Sequence, residues 1–210
     1  KRMILEAKKA GADAVKFQTF KAENLVSPRT PKVKYQRSSK NKKESHYDML
    51  KSLELSEKNH YFLKNFCKKK KIDFLCTPFE IESLKELVNI GISAIKISSD
   101  NINNIPFLLE ASRTGLPILL STGMANWAEV EKAVKIFKKT KSPLLIFQCT
   151  SNYPSKIENS NLAVINEYKN KFNCYVGLSD HTKSILPSIM AVTLGVNAIE
   201  KHFTLSRKLP

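Results

Sequence analysis

Seven short apolar stretches alternate with helix-period runs along this chain, and that alternation limits the folds open to it. The stretches are ADAVKFQ (12–18), IDFLCT (72–77), SAIKIS (93–98), PILLST (117–122), PLLIFQCT (143–150), CYVGLSD (174–180) and NAIEKHFT (197–204). The later units recur at intervals of about 20 to 32 residues. The runs between them have helix stops or starts where helices need them. Residues 1 to 10 end a helix closed by Gly11, and EIESLKELVNIG and IPFLLEASRTG stop at Gly91 and Gly115. Ser56 caps a helix over 57–70, whose apolar side is His60, Phe62, Leu63, Phe66 and Cys67. Asn126 caps NWAEVEKAVKIFKK, and NLAVINEYKNKF and ILPSIMAVTLG complete the series. Strands alternating with helices predict a parallel sheet. Internal identity between units is too low for a solenoid. The polar segment from Thr19 to about Tyr47, with Pro28 and Pro31, is too long for a plain connector and predicts a substrate loop or lid.

A (β/α)8 TIM barrel and an open doubly wound sheet both satisfy this pattern. The phosphate-gripping GxGxxG is absent, which weakens the dinucleotide-binding form of the open sheet. The strand ends favour the barrel. They carry Lys16 and Gln18, Thr77, Lys96 and Ser99, Ser121 and Thr122, Gln148 and Thr150, Ser179 and His181, Glu200 and His202. In a barrel all of these converge on one mouth, where active sites sit. Seven strands are one short of closure, and the chain opens inside a helix. The expectation is a single incomplete TIM-barrel catalytic domain over 1–210, with the first strand and the last helix missing from this chain.

Two of the strands end in histidine. YVGLSDH ends at His181 and AIEKHFT carries His202, 21 residues later, the spacing of one strand–helix–strand unit. Parallel neighbours lie about 4.8 Å apart, so two imidazoles at matching ends can reach one metal ion at ~2.1 Å each. Glu200 and His202 share a face of their strand. A single strand-end histidine is more often a hydrogen-bonded structural residue; two at matching ends, each with an acidic neighbour, give the metal reading its weight. Lys16 and Lys96 are expected to point inward among the hydroxyls of Thr77, Ser99, Ser121 and Ser179. Buried lysines require anionic partners, and cations with several hydroxyl donors suit a phosphate or a phosphorylated carboxylate. A metal at such a pocket would polarise a carbonyl. Together these point to carbon–carbon bond formation with an enol phosphate. The alternatives are a lysine reaching solvent and a serine serving a turn; joint placement, not any one residue, favours function.

Composition narrows the partners. Lys and Arg number 35 against 19 Asp and Glu, a net charge of +16. Most of the excess is lysine in clusters at 40–43, 68–71 and 138–141 rather than an aromatic-studded basic strand, so a solvated surface is preferred over nucleic-acid binding. A basic field also gathers small anionic substrates. No apolar run reaches the length of a membrane span. The start, KRMILEAKKAGADAV, lacks a signal-peptide core. Cys67, Cys76, Cys149 and Cys174 are widely spaced and are expected to be reduced thiols of a cytoplasmic protein.

ADAVKFQTFKAENLVS, FLCTPF, AIKISS with NNIPFLL, PILLSTGMANWAEVEKAV, CTSNYP, VGLSDHT and AIEKHFTL follow one another in an order that resembles the sialic acid synthases. That family includes the N-acetylneuraminate, legionaminate and pseudaminate synthases. The resemblance runs along essentially the whole chain, and ESHYDMLKSLELS looks closest to the bacterial N-acetylneuraminate and legionaminate branch. It implies condensation of phosphoenolpyruvate with an open-chain N-acetylated mannose-type sugar, giving a nine-carbon 2-keto acid and phosphate. It implies that His181 and His202 hold a divalent ion, Mn2+ or Mg2+. It implies that Lys16, Thr77, Lys96, Ser99, Ser121 and Ser179 hold phosphoenolpyruvate and that Gln18, Tyr153, Asp180 and Glu200 face the sugar. A homodimer is also implied.

Three departures from the family pattern stand out. The acid expected two positions after the serine of the K-I-x-S motif, assigned to the attacking water, is Asn101 here, with Asp100 one place earlier. A one-residue slip turns a strand side chain to the other face. A first strand with its glutamate and a C-terminal antifreeze-like domain are also expected to be absent. The rival readings are therefore a catalytically inactive truncated remnant, a related enolpyruvyl-condensing keto-acid synthase making a shorter product, and a basic nucleic-acid binder.

Overall fold

The structure is a computed structural model that describes residues 1–33, 36 and 44–208. Its contacts group into two compact units, Lys1–Ile92 with Phe203–Pro210 and Ser93–His202. Helix and strand alternate along both, and every strand ladder described within them is parallel.

The first unit holds α1 (Arg2–Lys9), β1 (Ala14–Thr19), α2 (Ala22–Leu25), α3 (His46–Leu53), α4 (Glu57–Lys70), β2 (Asp73–Pro78) and α5 (Ile81–Asn89). β1 and β2 pair from Ala14↔Asp73 to Thr19↔Pro78. Ile4 and Ala7 of α1, Cys67 of α4 and Leu84 and Leu87 of α5 are buried with Phe74 and Cys76 of β2. Gly11 ends α1 at φ +87°, a left-handed conformation that glycine adopts without a Cβ clash. Ser56 caps α4 by accepting the Asn59 N–H, as expected. The apolar side of α4 is narrower than the pattern suggested: His60 and Cys67 are buried, but Phe62 is exposed, with the Lys1 ammonium 4.6 Å from its ring centre.

The segment read as one long loop contains structure. α3 was not expected. It is started by a capping box in which Ser45 Oγ accepts the Asp48 N–H at 3.1 Å and Asp48 accepts the Ser45 N–H at 3.2 Å. Glu54, just after α3, accepts the Ala22 N–H at 2.7 Å and ties it to α2. The rest of the expected lid, residues 34, 35 and 37–43, lies outside the described residues.

The second unit holds β3 (Ile95–Ile97), α6 (Ile105–Arg113), β4 (Ile118–Ser121), α7 (Trp127–Thr140), β5 (Leu144–Cys149), α8 (Val164–Phe172), β6 (Tyr175–Asp180), α9 (Leu186–Thr193) and β7 (Ala198–Lys201). β3 to β7 pair in sequence order, the arrangement right-handed strand–helix–strand crossovers produce. β3 is shorter than expected because Ser98 starts a 3-10 turn over Ser99–Asn101. Asn126 and Glu129 form a capping box on α7. Strand alternation divides the side chains into two sets. Ile95, Ile97, Leu120, Ile146, Val176 and Leu178 are buried with Phe107, Phe137, Ile165 and Phe172 of the helices. The other face of the same strands carries Lys96, Ser121, Phe147, Cys149, Gly177, Ser179 and Glu200.

Among the described residues no helix is long and apolar enough to cross a membrane. The four cysteines are free thiols. Burial pushes the Cys76 thiol up to about 12 and the Cys174 thiol to about 11.

Candidate functional site

Lys96 is the centre of the polar face. It is 3% exposed, and its Nζ donates to Ser121 Oγ at 2.6 Å and to Ile97 O at 3.4 Å. Glu200 Oε1 lies 3.7 Å from that ammonium, and the Phe147 ring centre 5.4 Å. A lysine this deep is tolerable only with such a set of acceptors and a counter-charge. Its place depends on Gly177: a Cβ there would fall 2.6 Å from Phe147 Cε1 and 2.8 Å from Ala198 O. The missing side chain leaves room for the Phe147 ring against β6.

Glu200 continues the network. Its Oε1 accepts the Ser179 hydroxyl at 2.8 Å, and Ser179 Oγ is 3.2 Å from His181 Nε2. Ser179 and Glu200 are register partners on β6 and β7, so this contact is direct and cross-strand. His181 and His202 each follow the last paired residue of their strands, and their ring centres are 5.2 Å apart with planes at 68°. Tyr153 lies against both, 4.2 Å from the His181 ring and 5.4 Å from the His202 ring. The loop bearing it is pinned by the Ser155 N–H, which donates to His181 O at 2.9 Å.

His181 has a defined tautomer. Nδ1 is 2.8 Å from Thr150 O, and a carbonyl can only accept, so Nδ1 carries the hydrogen and Nε2 keeps its lone pair. Burial lowers the imidazole pKa, against the opposing pull of the Thr150 carbonyl and Glu200. A neutral ring whose Nδ1 is bonded to a carbonyl would offer a metal its Nε2, here 3.2 Å from Ser179 Oγ. Among the described residues no cluster of three or more His, Cys, Asp or Glu forms a metal cage. The protein ligands available here are the two imidazoles, and water or substrate oxygens would complete a shell.

The remaining expected site residues have surroundings of their own. Ser99 lies in the 3-10 turn, where its Oγ accepts the Gly123 N–H at 2.8 Å and sits 3.8 Å from Cys149 Sγ. Asp100 is exposed and takes the Ser98 hydroxyl, whereas Asn101 is buried and accepts from Asn104 Nδ2 at 3.0 Å. Lys16, Gln18 and Thr77 belong to the first unit, where Lys16 Nζ is 3.4 Å from Thr77 Oγ1 and Gln18 is the register partner of Thr77.

Asp180 requires a correction. Expected to face a sugar beside Ser179 and His181, it points to the opposite, helix-covered face, because side chains alternate along β6. There Lys201 Nζ is 2.6 Å from its Oδ2, and Ser188 Oγ and the Thr182 N–H donate to it. Burial raises its pKa, but the hydrogen bonds from Lys201, Thr182 and Ser188 outweigh that and hold the carboxyl below the ordinary range. Lys201, Ser188 and the Thr150 carbonyl were all missed from sequence. The register Asp180↔Lys201 would have exposed the first.

A cavity of about 440 Å3 lies beside this network, lined by Thr122, Met124, Trp127, Gln148, Cys149 and Tyr168 among others, without Lys96 or either ligand-type histidine.

A family profile described as the NeuB family matches residues 3–210. An N,N'-diacetyllegionaminic acid synthase of Legionella pneumophila is 40% identical over 100% of this chain and 60% of its own length. Another of that name from Campylobacter jejuni is also 40% identical, over 100% of this chain and 64% of its own. The crystal structure of N-acetylneuraminic acid (sialic acid) synthetase from Leptospira borgpetersenii, in complex with citrate, superposes with a TM-score of 0.86 at 38% identity, covering 98% of this chain and 67% of that one. The chain thus spans about 60% of the length of the curated relatives it matches.

Proposed function

Because this chain belongs to the NeuB family, we propose that the protein condenses phosphoenolpyruvate with an N-acetylated mannose-type sugar to a nine-carbon 2-keto acid, releasing phosphate. In the same reading the seven strands are part of one (β/α)8 barrel domain, and the working form is a homodimer. The observation that carries the activity is the adjacency of two features on one face: the His181–His202 pair at 5.2 Å, and the Lys96–Glu200–Ser179 network that touches it through Ser179.

Roles follow from the chemistry of each group. Lys96 and Ser121 present a cation and a hydroxyl within one hydrogen bond of each other, suited to the carboxylate or phosphate of an enol phosphate. Ser179 adds a second hydroxyl. Lys16, Thr77 and Ser99 are assigned to the same substrate by the resemblance. His181 and His202 would hold a divalent ion, which when bound polarises the aldehyde of the sugar. C3 of the enol phosphate forms the new bond to that aldehyde carbon. Water adds at C2, and the tetrahedral intermediate loses phosphate by breaking its C2–O bond. Glu200, held by Ser179, is assigned to exchange a proton with a sugar hydroxyl. Tyr153, against both imidazoles, and Gln18 are assigned to sugar contact, and Asn101 with Asp100 to the region of the attacking water.

The test is turnover by the full-length protein. Phosphoenolpyruvate with N-acetylmannosamine, or with a 2,4-diacetamido trideoxy hexose, should release one phosphate per nine-carbon keto acid in the presence of Mn2+. Turnover only with unacetylated four- or five-carbon aldoses would assign the protein to the shorter keto-acid synthases. Absence of turnover with every acceptor would overturn the synthase reading.

A further inference from the structure

The face of β6 and β7 turned away from the histidines carries a second charged assembly. Asp180 and Lys201 are the last register pair of the two strands. The Asp180 side chain is 1% exposed, and its Oδ2 lies 2.6 Å from Lys201 Nζ. The same oxygen accepts the Ser188 hydroxyl of α9 at 2.7 Å, and Oδ1 accepts the Thr182 N–H at 2.8 Å. Lys201 uses its other two hydrogens on Thr182 O at 2.9 Å and Ser184 O at 2.8 Å. All three ammonium donors are thereby satisfied, and each bond is charge-assisted.

Position gives this network its meaning. Asp180 immediately precedes His181 and Lys201 immediately precedes His202. Both histidines lie one residue beyond the β6–β7 ladder, so no ladder pair of those two strands spaces them, although the Ser155 N–H also holds His181 O from the neighbouring loop. Lys201 holds the chain on both sides of His181, through the Asp180 side-chain carboxylate before it and the Thr182 and Ser184 backbone carbonyls after it. Metal-ligand distances tolerate only about 0.2 Å, so the two strand ends must be held.

We propose that Asp180 and Lys201 are positioning residues, an ion-paired clamp that sets the separation of the His181 and His202 rings from the opposite face of the sheet. As a statement about metal binding, this rests on the reading of those histidines as a metal pair. The clamp needs no contact with substrate or ion.

The experiment compares the full-length wild-type protein with Lys201→Met, Lys201→Arg and Asp180→Asn. Mn2+ affinity is measured by calorimetry, and the imidazole 15N–1H spectrum is recorded on metal-free protein. Lys201→Met and Asp180→Asn should weaken Mn2+ binding roughly tenfold to a hundredfold, the usual cost of losing an outer-shell partner. Both should shift the ring resonances of His181 and His202 before metal is added, and Lys201→Arg should restore most of the affinity. A folded Lys201→Met protein with wild-type Mn2+ affinity and unmoved imidazole resonances overturns the clamp. If the wild type binds no Mn2+, the metal reading fails instead, and the metal-free spectra alone decide the clamp. Should Lys201→Met not fold, Lys201→Gln replaces it under the same criteria.

Discussion

The rings of His181 and His202 meet at 5.2 Å with their planes 68° apart, and Tyr153 covers the nearer one at 4.2 Å. Two imidazoles brought from different strands to this distance can share one ion. Replacing either with alanine in the full-length protein should lower Mn2+ affinity on the order of a hundredfold, at the upper end of what outer-shell losses cost. Calorimetric titration measures it; an alanine variant that keeps wild-type affinity would remove the metal pair from the reading.

Lys96 is the buried cation of the network, so its loss should appear in both stability and substrate use. Lys96→Met removes the ammonium 3.7 Å from Glu200 Oε1, and the lost charged hydrogen bond to substrate is worth about 1.5–3 kcal/mol. The expected result is a fall in kcat/KM for phosphoenolpyruvate of roughly 10- to 150-fold. Steady-state kinetics on the full-length variant test it, and unchanged kcat/KM would remove Lys96 from the anion pocket.

Gly177 tests the packing beneath that lysine. A methyl group there meets Phe147 ring carbons at 2.6 and 2.7 Å and the Ala198 carbonyl at 2.8 Å. The Lys96 ammonium lies 5.4 Å from the centre of that ring, and the carbonyl belongs to the strand carrying Glu200. Gly177→Ala should cost about 1–3 kcal/mol by overpacking, read from urea denaturation midpoints.

Acid should destabilise the metal-free protein in two stages, with the sign the same in both. Burial holds the His181 pKa below its ordinary value, so the unfolded chain takes up that proton first and stability falls as pH drops below about 6.5. Asp180 is held below the carboxylate range. Its contribution is complete above its unfolded pKa and is lost as pH falls through the folded one. Urea midpoints from pH 8 to 3 should show both losses, and Asp180→Asn should lack the lower one.

The thiols should be slow to react in the native state. Burial pushes Cys76 up to about 12 and Cys174 to about 11, leaving little thiolate at neutral pH. A disulfide reagent should modify Cys76 only after urea is added; fast native labelling would contradict its burial.

The amino-acid pattern carries the order of strands and helices, because buried parallel strands need continuous apolar runs and the helices between them need caps and stops. It also determined that Ser179, His181, Glu200 and His202 belong together, since matched strand ends 21 residues apart must be neighbours. It even contained the answer on Asp180: a residue between Ser179 and His181 faces the other way. Local capping at Ser45, which starts α3, was legible too but lay inside a segment read as loop. Tertiary structure alone decided the partners. The Thr150 carbonyl, 31 residues from His181, fixes its tautomer, and the Ser155–His181 bond brings Tyr153 onto the imidazoles. Lys201 closes on Asp180 only when β6 and β7 are in register. Periodicity records which face a side chain takes, but hydrogen bonds between distant segments form only after the chain has brought them together.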